Sequence, residues 1–307
     1  MKKSFITTFL FLVSIHLFGQ QDAMYSQYMF NTLAINPAYA GSRDILSTTA
    51  LMRSQWVGVE GAPQTKTLSF DTPLRNKKVG MGVQLFNDEV GITSLSGGFV
   101  SYAYRIFSEK STFAFGLQAG ASHFKADFNS VQLQENGIDY AFLSNIDQVL
   151  LNFGAGIYYN TDRFYIGASA PHLLNNTLNN NKVVVTNGLV ARQYLHLFIA
   201  SGYVINLDDD FKLKPSFLFK GVKGAPLQLD LNTNLWIKNV FSVGVQYRTN
   251  ADIGALVEAQ VTPQIRFGYS YDRSVTKLAN FNSGSHEIML RYEFSFEKDK
   301  VLSPRYF

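Results

Sequence analysis

The residues that could do chemistry in this chain are few, and their spacing does not suit catalysis. His123, His172, His196 and His286 stand apart, with no HExxH or HxH pattern to set two imidazoles around a metal. The chain has no cysteine, so thiolate metal sites and disulfides are excluded. No GxSxG elbow and no Gly-rich phosphate loop ending in Lys-Ser or Lys-Thr occurs. His286 beside Ser283 and Ser285 is the weak candidate for a Ser–His pair assembled from separate strands. Asp208-Asp209-Asp210 lacks the alternating ligand spacing and following glycine of a calcium loop, and reads as a charged turn. No catalytic, cofactor-binding or metal site is therefore expected, and the chain does not read as an enzyme. The run Arg53, Gln55 and Trp56 admits two readings. One is an interfacial aromatic beside an internal arginine paired to a carboxylate. The other is a set of residues that pins another segment or shapes a partner surface.

These side chains must be held by something, and the pattern says what. Charged residues make up only 16% of the 307-residue chain, against about 25% in soluble domains. Tyrosine (16), phenylalanine (26) and glycine (23) are abundant. Lys2 and Lys3 followed by the apolar run Phe5 to Phe18 form a secretory leader over residues 1–20, with small Gly19 near the expected cut. The alternative, an uncleaved anchor helix, is disfavoured because the run falls short of the roughly 20 residues needed to span a bilayer. There is no cysteine near the cut, so a lipoprotein is not expected. Without the leader the chain carries 25 basic and 23 acidic residues, too balanced for a nucleic-acid partner.

From Ile45 onward the period is two. Ile288, Leu290, Tyr292 and Phe294 alternate with Met289, Arg291, Glu293 and Ser295. Phe267, Tyr269 and Tyr271 alternate with Arg266, Gly268, Ser270 and Asp272, and Val243, Val245 and Tyr247 with Gly244, Gln246 and Arg248. Strict alternation argues for strands with two unlike faces. Fourteen such segments are expected, at 45–56, 65–73, 79–88, 92–107, 111–125, 148–160, 163–171, 191–206, 211–222, 226–238, 240–250, 253–262, 264–274 and 286–297. Most reach the roughly 9–11 residues of a tilted membrane strand. The long connections (57–64, 126–147, 172–190, 275–285) all follow odd-numbered strands, and those after even strands are short. That sorting is the asymmetry of an outer-membrane barrel, with long loops outside and short turns in the periplasm. The fold expected is all-β: a transmembrane outer-membrane barrel of about fourteen antiparallel strands with both termini periplasmic.

An arginine at mid-membrane costs about 2–4 kcal/mol on the lipid face. Arg248, Arg266, Arg291, Asp230, Glu258, Asp272 and Glu293 should therefore point inward, giving a charged lumen. Fourteen strands enclose more space than their own side chains fill. The stretch Tyr25 to Gly41 (YSQYMFNTLAINPAYAG) is the available filler: aromatic, amide-rich, nearly chargeless and broken by Asn36-Pro37. The organisation expected is a leader at 1–20, an N-terminal plug segment at 21–44, a barrel at 45–297 and a periplasmic tail at 298–307. Candidate plug or partner-contact residues are Tyr25, Tyr28, Phe30, Asn36, Pro37, Tyr39, Arg53, Gln55 and Trp56.

YSQYMFN, INPAYAGS, the run Arg53 to Gly58, Gly61-Ala62-Pro63 and the closing Leu302-Ser303-Pro304-Arg305-Tyr306-Phe307 together resemble the PorP/SprF family. The resemblance implies an outer-membrane protein of type IX secretion and gliding. Such a barrel receives or anchors secreted cargo, often a large surface adhesin with a type IX C-terminal domain, and connects it to periplasmic subunits. Its partners would be outer-membrane lipid, cargo and that machinery. A second reading is a small-solute channel resembling the FadL family, which also combines fourteen strands with an N-terminal plug.

Overall fold

The computed structural model describes residues 24–130, 145–178, 192–223 and 225–294. The leader at 1–20 and the tail at 298–307 lie outside the described residues. Fourteen strands are found among those described. They are β1 (Leu46–Ser54), β2 (Gln64–Pro73), β3 (Val79–Val90), β4 (Thr93–Phe107), β5 (Ser111–Ala126), β6 (Ile146–Thr161) and β7 (Phe164–Ala170). There follow β8 (His196–Tyr203, resumed after Val204 at Ile205–Asn206), β9 (Phe211–Val222), β10 (Gln228–Ile237) and β11 (Phe241–Arg248). β12 (Asp252–Gln260), β13 (Ile265–Ser274) and β14 (Ser285–Phe294) complete the ring.

Each strand pairs antiparallel with its sequence neighbours, and β1 pairs with β14 from Leu46↔Phe294 to Ser54↔His286. The sheet is thus a closed barrel with no free edge, the arrangement in which every wall N–H and C=O finds a partner without water. None of the described helices is long and apolar enough to cross a membrane; the strands do the crossing.

Alternation sets the two faces. In β14 Leu290 and Tyr292 are 50% and 45% exposed while Met289 and Arg291 are 0% and 2%. All seven charged residues expected inside are buried. Outside stand Leu117, Val149, Leu151, Val245, Ile253 and many like them, a continuous apolar belt that suits lipid.

The short connections are tight where the backbone allows it. Lys238 and Asn239, between β10 and β11, both take positive φ (51° and 59°), the left-handed pair that matches the twist of a two-residue hairpin. Asp208 accepts from the backbone N–H groups of Asp210 and Phe211 at 2.8 and 2.7 Å, so the triple-aspartate run shapes the β8–β9 turn.

Candidate functional site in the lumen

Residues 25–41 are buried save for half-buried Ala34, and they touch the inward faces of strands on both sides of the ring. The segment starts beside the long-loop end and descends to the short-turn end, where it enters β1. Its fixings can be followed in that order.

At the top is Arg53, near the end of β1 and fully buried. Its Nη1 meets Asp272 Oδ2 at 2.7 Å and Glu287 Oε2 at 3.0 Å. The same carboxylates hold the segment. Ser26 donates its backbone N–H to Glu287 at 2.9 Å and its hydroxyl to Asp272 at 2.5 Å, and Gln27 N–H reaches Glu287 at 2.8 Å. Arg53 also donates to Ser26 Oγ at 2.8 Å. One guanidinium, two carboxylates and two residues of the segment therefore form one buried cluster. Arg248 joins beside it, paired to Asp230 at 2.9 Å and reaching the Tyr25 carbonyl at 3.4 Å. Charge-assisted bonds of this kind are shorter and about twice as strong as neutral ones.

The middle is held mainly by hydroxyl, amide and aromatic groups. The Tyr25 hydroxyl lies 2.8 Å from Thr67 Oγ1, and Asn232 donates to the Tyr28 hydroxyl at 3.2 Å. Phe30 packs with Lys214 Nζ 5.9 Å from its ring centre. Ser169 Oγ donates to the Ile35 carbonyl at 2.6 Å.

At the bottom the Asn36-Pro37 corner forms as proline demands. Asn36 is extended (φ −143°, ψ 110°), its side chain accepts from Ala38 N–H, and Pro37 opens a 3₁₀ turn, Pro37–Tyr39. Asn36 Nδ2 donates to the Ile157 carbonyl at 2.9 Å, and the Tyr39 ring meets Tyr158 edge-on at 5.5 Å. This corner lies on a bed of glycines. A Cβ on Gly116 would stand 2.1 Å from Ala38 N, one on Gly156 2.2 Å from Asn36 Oδ1, and one on Gly80 1.9 Å from Ala40 O. Below it Arg43 pairs with Glu293 at 2.6 Å and Arg105 with Asp44 at 2.7 Å.

Of the nine candidates, Tyr25, Tyr28, Phe30, Asn36, Pro37, Tyr39 and Arg53 come together in this assembly. Gln55 and Trp56 do not; they sit above it at the long-loop mouth. Trp56 has φ 46°, leaves the alternation of β1 and lines an internal cavity instead of standing in a lipid-facing belt. Its N–H donates to Ser285 Oγ at 3.2 Å. The Ser–His candidate is not assembled either. Ser285 points into the barrel, and His286 Nδ1 lies 2.7 Å from the Tyr269 hydroxyl. The expectation that both termini are periplasmic falls on residues outside those described. Among the described ones, Phe294 ends at the short-turn side and Met24 lies at the long-loop side, where Lys220 donates to its sulfur at 2.9 Å.

Sequence reasoning missed Ser26, Gln27 and Glu287. It also read the glycines as features of the wall alone, although their inward parity was visible. It missed, too, that the lumen has two unlike halves. The inward positions of β9–β14, β1 and β2 carry Lys214, Lys220, Asp230, Arg248, Glu258, Arg266 and their partners. Those of β3–β8 are glycine, small, amide, aromatic or aliphatic (Leu95, Leu150), with Asp88 and Arg105 as the charged residues near their ends. The charged lumen expected is therefore refined to a charged half and a largely neutral half. On the neutral side, at the long-loop end, lies a cavity of about 570 Å³, continued by a smaller one of about 110 Å³.

Among solved structures the fold is similar to the Acinetobacter baumannii outer membrane protein Omp33 (10% identity, 82% of this chain and 99% of that one, TM-score 0.47). It is also similar to the CymD monoaromatic hydrocarbon channel (13% identity, 89% and 94%, TM-score 0.49). No curated protein matches the chain. The model of one family, "Type IX secretion system membrane protein PorP/SprF", matches residues 17–292. That span takes in the lumenal segment and nearly the whole wall, and the chain belongs to the PorP/SprF family of type IX secretion system membrane proteins.

Proposed function

We propose that this outer-membrane barrel receives or anchors a type IX-secreted cargo, such as a large surface adhesin with a type IX C-terminal domain, and links it to periplasmic secretion and gliding subunits. The observation that carries the reading is the family match over residues 17–292. On this reading the long loops face outward and hold cargo, while the short turns and the C-terminus face the periplasm and the machinery. Tyr25–Gly41 acts as a plug. The buried cluster at Arg53 and the glycine bed at Gly80, Gly116 and Gly156 support that role, because they hold the segment at both ends of the lumen. A FadL-like solute channel would need a path past the corner at Asn36-Pro37, and the close approach of Ala38 to Gly116 favours a closed lumen.

The test is a mild-detergent pull-down of the tagged protein from its native outer membrane, read by mass spectrometry. A large secreted protein with a type IX C-terminal domain, recovered with periplasmic subunits, is the expected result. A barrel that repeatedly emerges intact and alone would overturn the anchoring role.

A further inference from the structure

We infer that the neutral half of the lumen, at the long-loop end, is a binding site for an uncharged amphipathic small molecule with an aromatic or alicyclic body. Four observations carry this. The cavity of about 570 Å³ lies within the roughly 300–1,000 Å³ of small-molecule sites. Apolar and aromatic side chains, Trp56, Leu95, Phe124, Leu150 and Tyr194 among them, line it together with polar ones such as Gln55, Ser94 and Gln193. Asp88 and Leu95 line both it and the deeper cavity of about 110 Å³, where Phe86, Phe99 and Phe198 continue the same chemistry down to Ile35. Below the recess the corner at Asn36–Ala40 packs closely on Gly80, Gly116 and Gly156.

Charge decides the ligand class. Asp88 and Arg192 are the formally charged residues among those lining the two cavities, and Asp88 accepts from Thr65 at 2.5 Å. The buried pairs of Arg53, Arg248 and Arg266 lie across the lumen, while Arg105 on the neutral side pairs with Asp44 at the short-turn end. An ion entering the deeper recess would lose its hydration and meet Asp88 as the one formal charge among the residues lining it, itself bonded to Thr65, which is costly. A neutral body loses little and buries apolar surface. Gln84, Gln193 and His172 supply hydrogen-bonding groups on the walls, the few polar points that orient a ligand in such a site.

The probe is 5-fluoroindole, followed by fluorine NMR on the full protein in lipid nanodiscs, with empty nanodiscs of the same lipid as reference. Saturable broadening beyond the empty discs is expected. Leu95→Trp fills the neck between the two cavities and should weaken binding by about tenfold, as a misfit of a few methylenes does in an apolar pocket. Leu150→Trp, on another strand, replaces it if that variant does not assemble. Signal no greater than in empty discs, or binding unchanged in a folded neck variant, overturns the inference. So does a discrete protein adduct from a photo-crosslinking residue placed at Phe99 in cells, because that would make the occupant a polypeptide. The inference stands apart from the secretion role: the pull-down and the NMR titration can fail separately.

Discussion

A guanidinium taken out of water is tolerated where carboxylates meet it, and Arg53 has two, at 2.7 and 3.0 Å. Those carboxylates also hold Ser26 and Gln27, so the arginine neutralises the charge to which the segment is tied. Arg53→Ala would leave Asp272 and Glu287 buried and under-compensated. A loss of about 3–5 kcal/mol is expected, read as a lower urea midpoint for the refolded barrel. Arg53→Lys keeps the charge but not the planar fork of donors, and should fall between the two. The sequence made Arg53 a candidate and named a carboxylate as its partner. It could not say which, since Asp272 is 219 residues away and only ring closure brings them together.

At the scale of elements, the strands were legible because lipid and lumen are chemical opposites two residues apart. The segment 211–222 reads the same in sequence and structure. The expected strand 191–206 was less so: regular pairing starts at His196 and pauses at Val204, because an apolar run continues through a break in the ladder. The lumen's two halves escaped notice because the cleanest alternation lies in the C-terminal strands, where the inward residues are charged. The glycine bed was equally visible and equally unread, since a glycine at an inward position states that something comes close but not what. It yields a direct test. Gly116→Val should displace the Asn36–Ala40 corner and raise conductance in planar bilayers. Gly221→Ala should not, as an added Cβ there meets nothing nearer than 3.6 Å.

For the whole molecule, the closed ring puts one solvent on each side of a single sheet. Leu290, half-exposed on the outer face, should tolerate alanine. Arginine at that position is expected to cost about 2–4 kcal/mol if it sits at the bilayer midplane, seen as reduced yield of heat-modifiable barrel in the membrane fraction. Equal yields from the two variants would contradict the assignment of faces.

The pairing of the first strand with the last has a bearing on how the molecule is made. Ser26 N–H reaches Glu287 across 261 residues, and Glu287 belongs to the strand that closes the seam against β1. Until β14 arrives, the seam is open and Glu287 is missing from the upper fixing of the segment, and contacts this distant in sequence are slow to form. The two events share their residues: Arg53 from one side of the seam, Glu287 from the other, Ser26 and Gln27 between them. Closure and the seating of the upper end are thus coupled, and a chain truncated before its last strand lacks the Glu287 bonds to Ser26 and Gln27. The outer latch of the interior segment is complete only when the last strand has joined the wall.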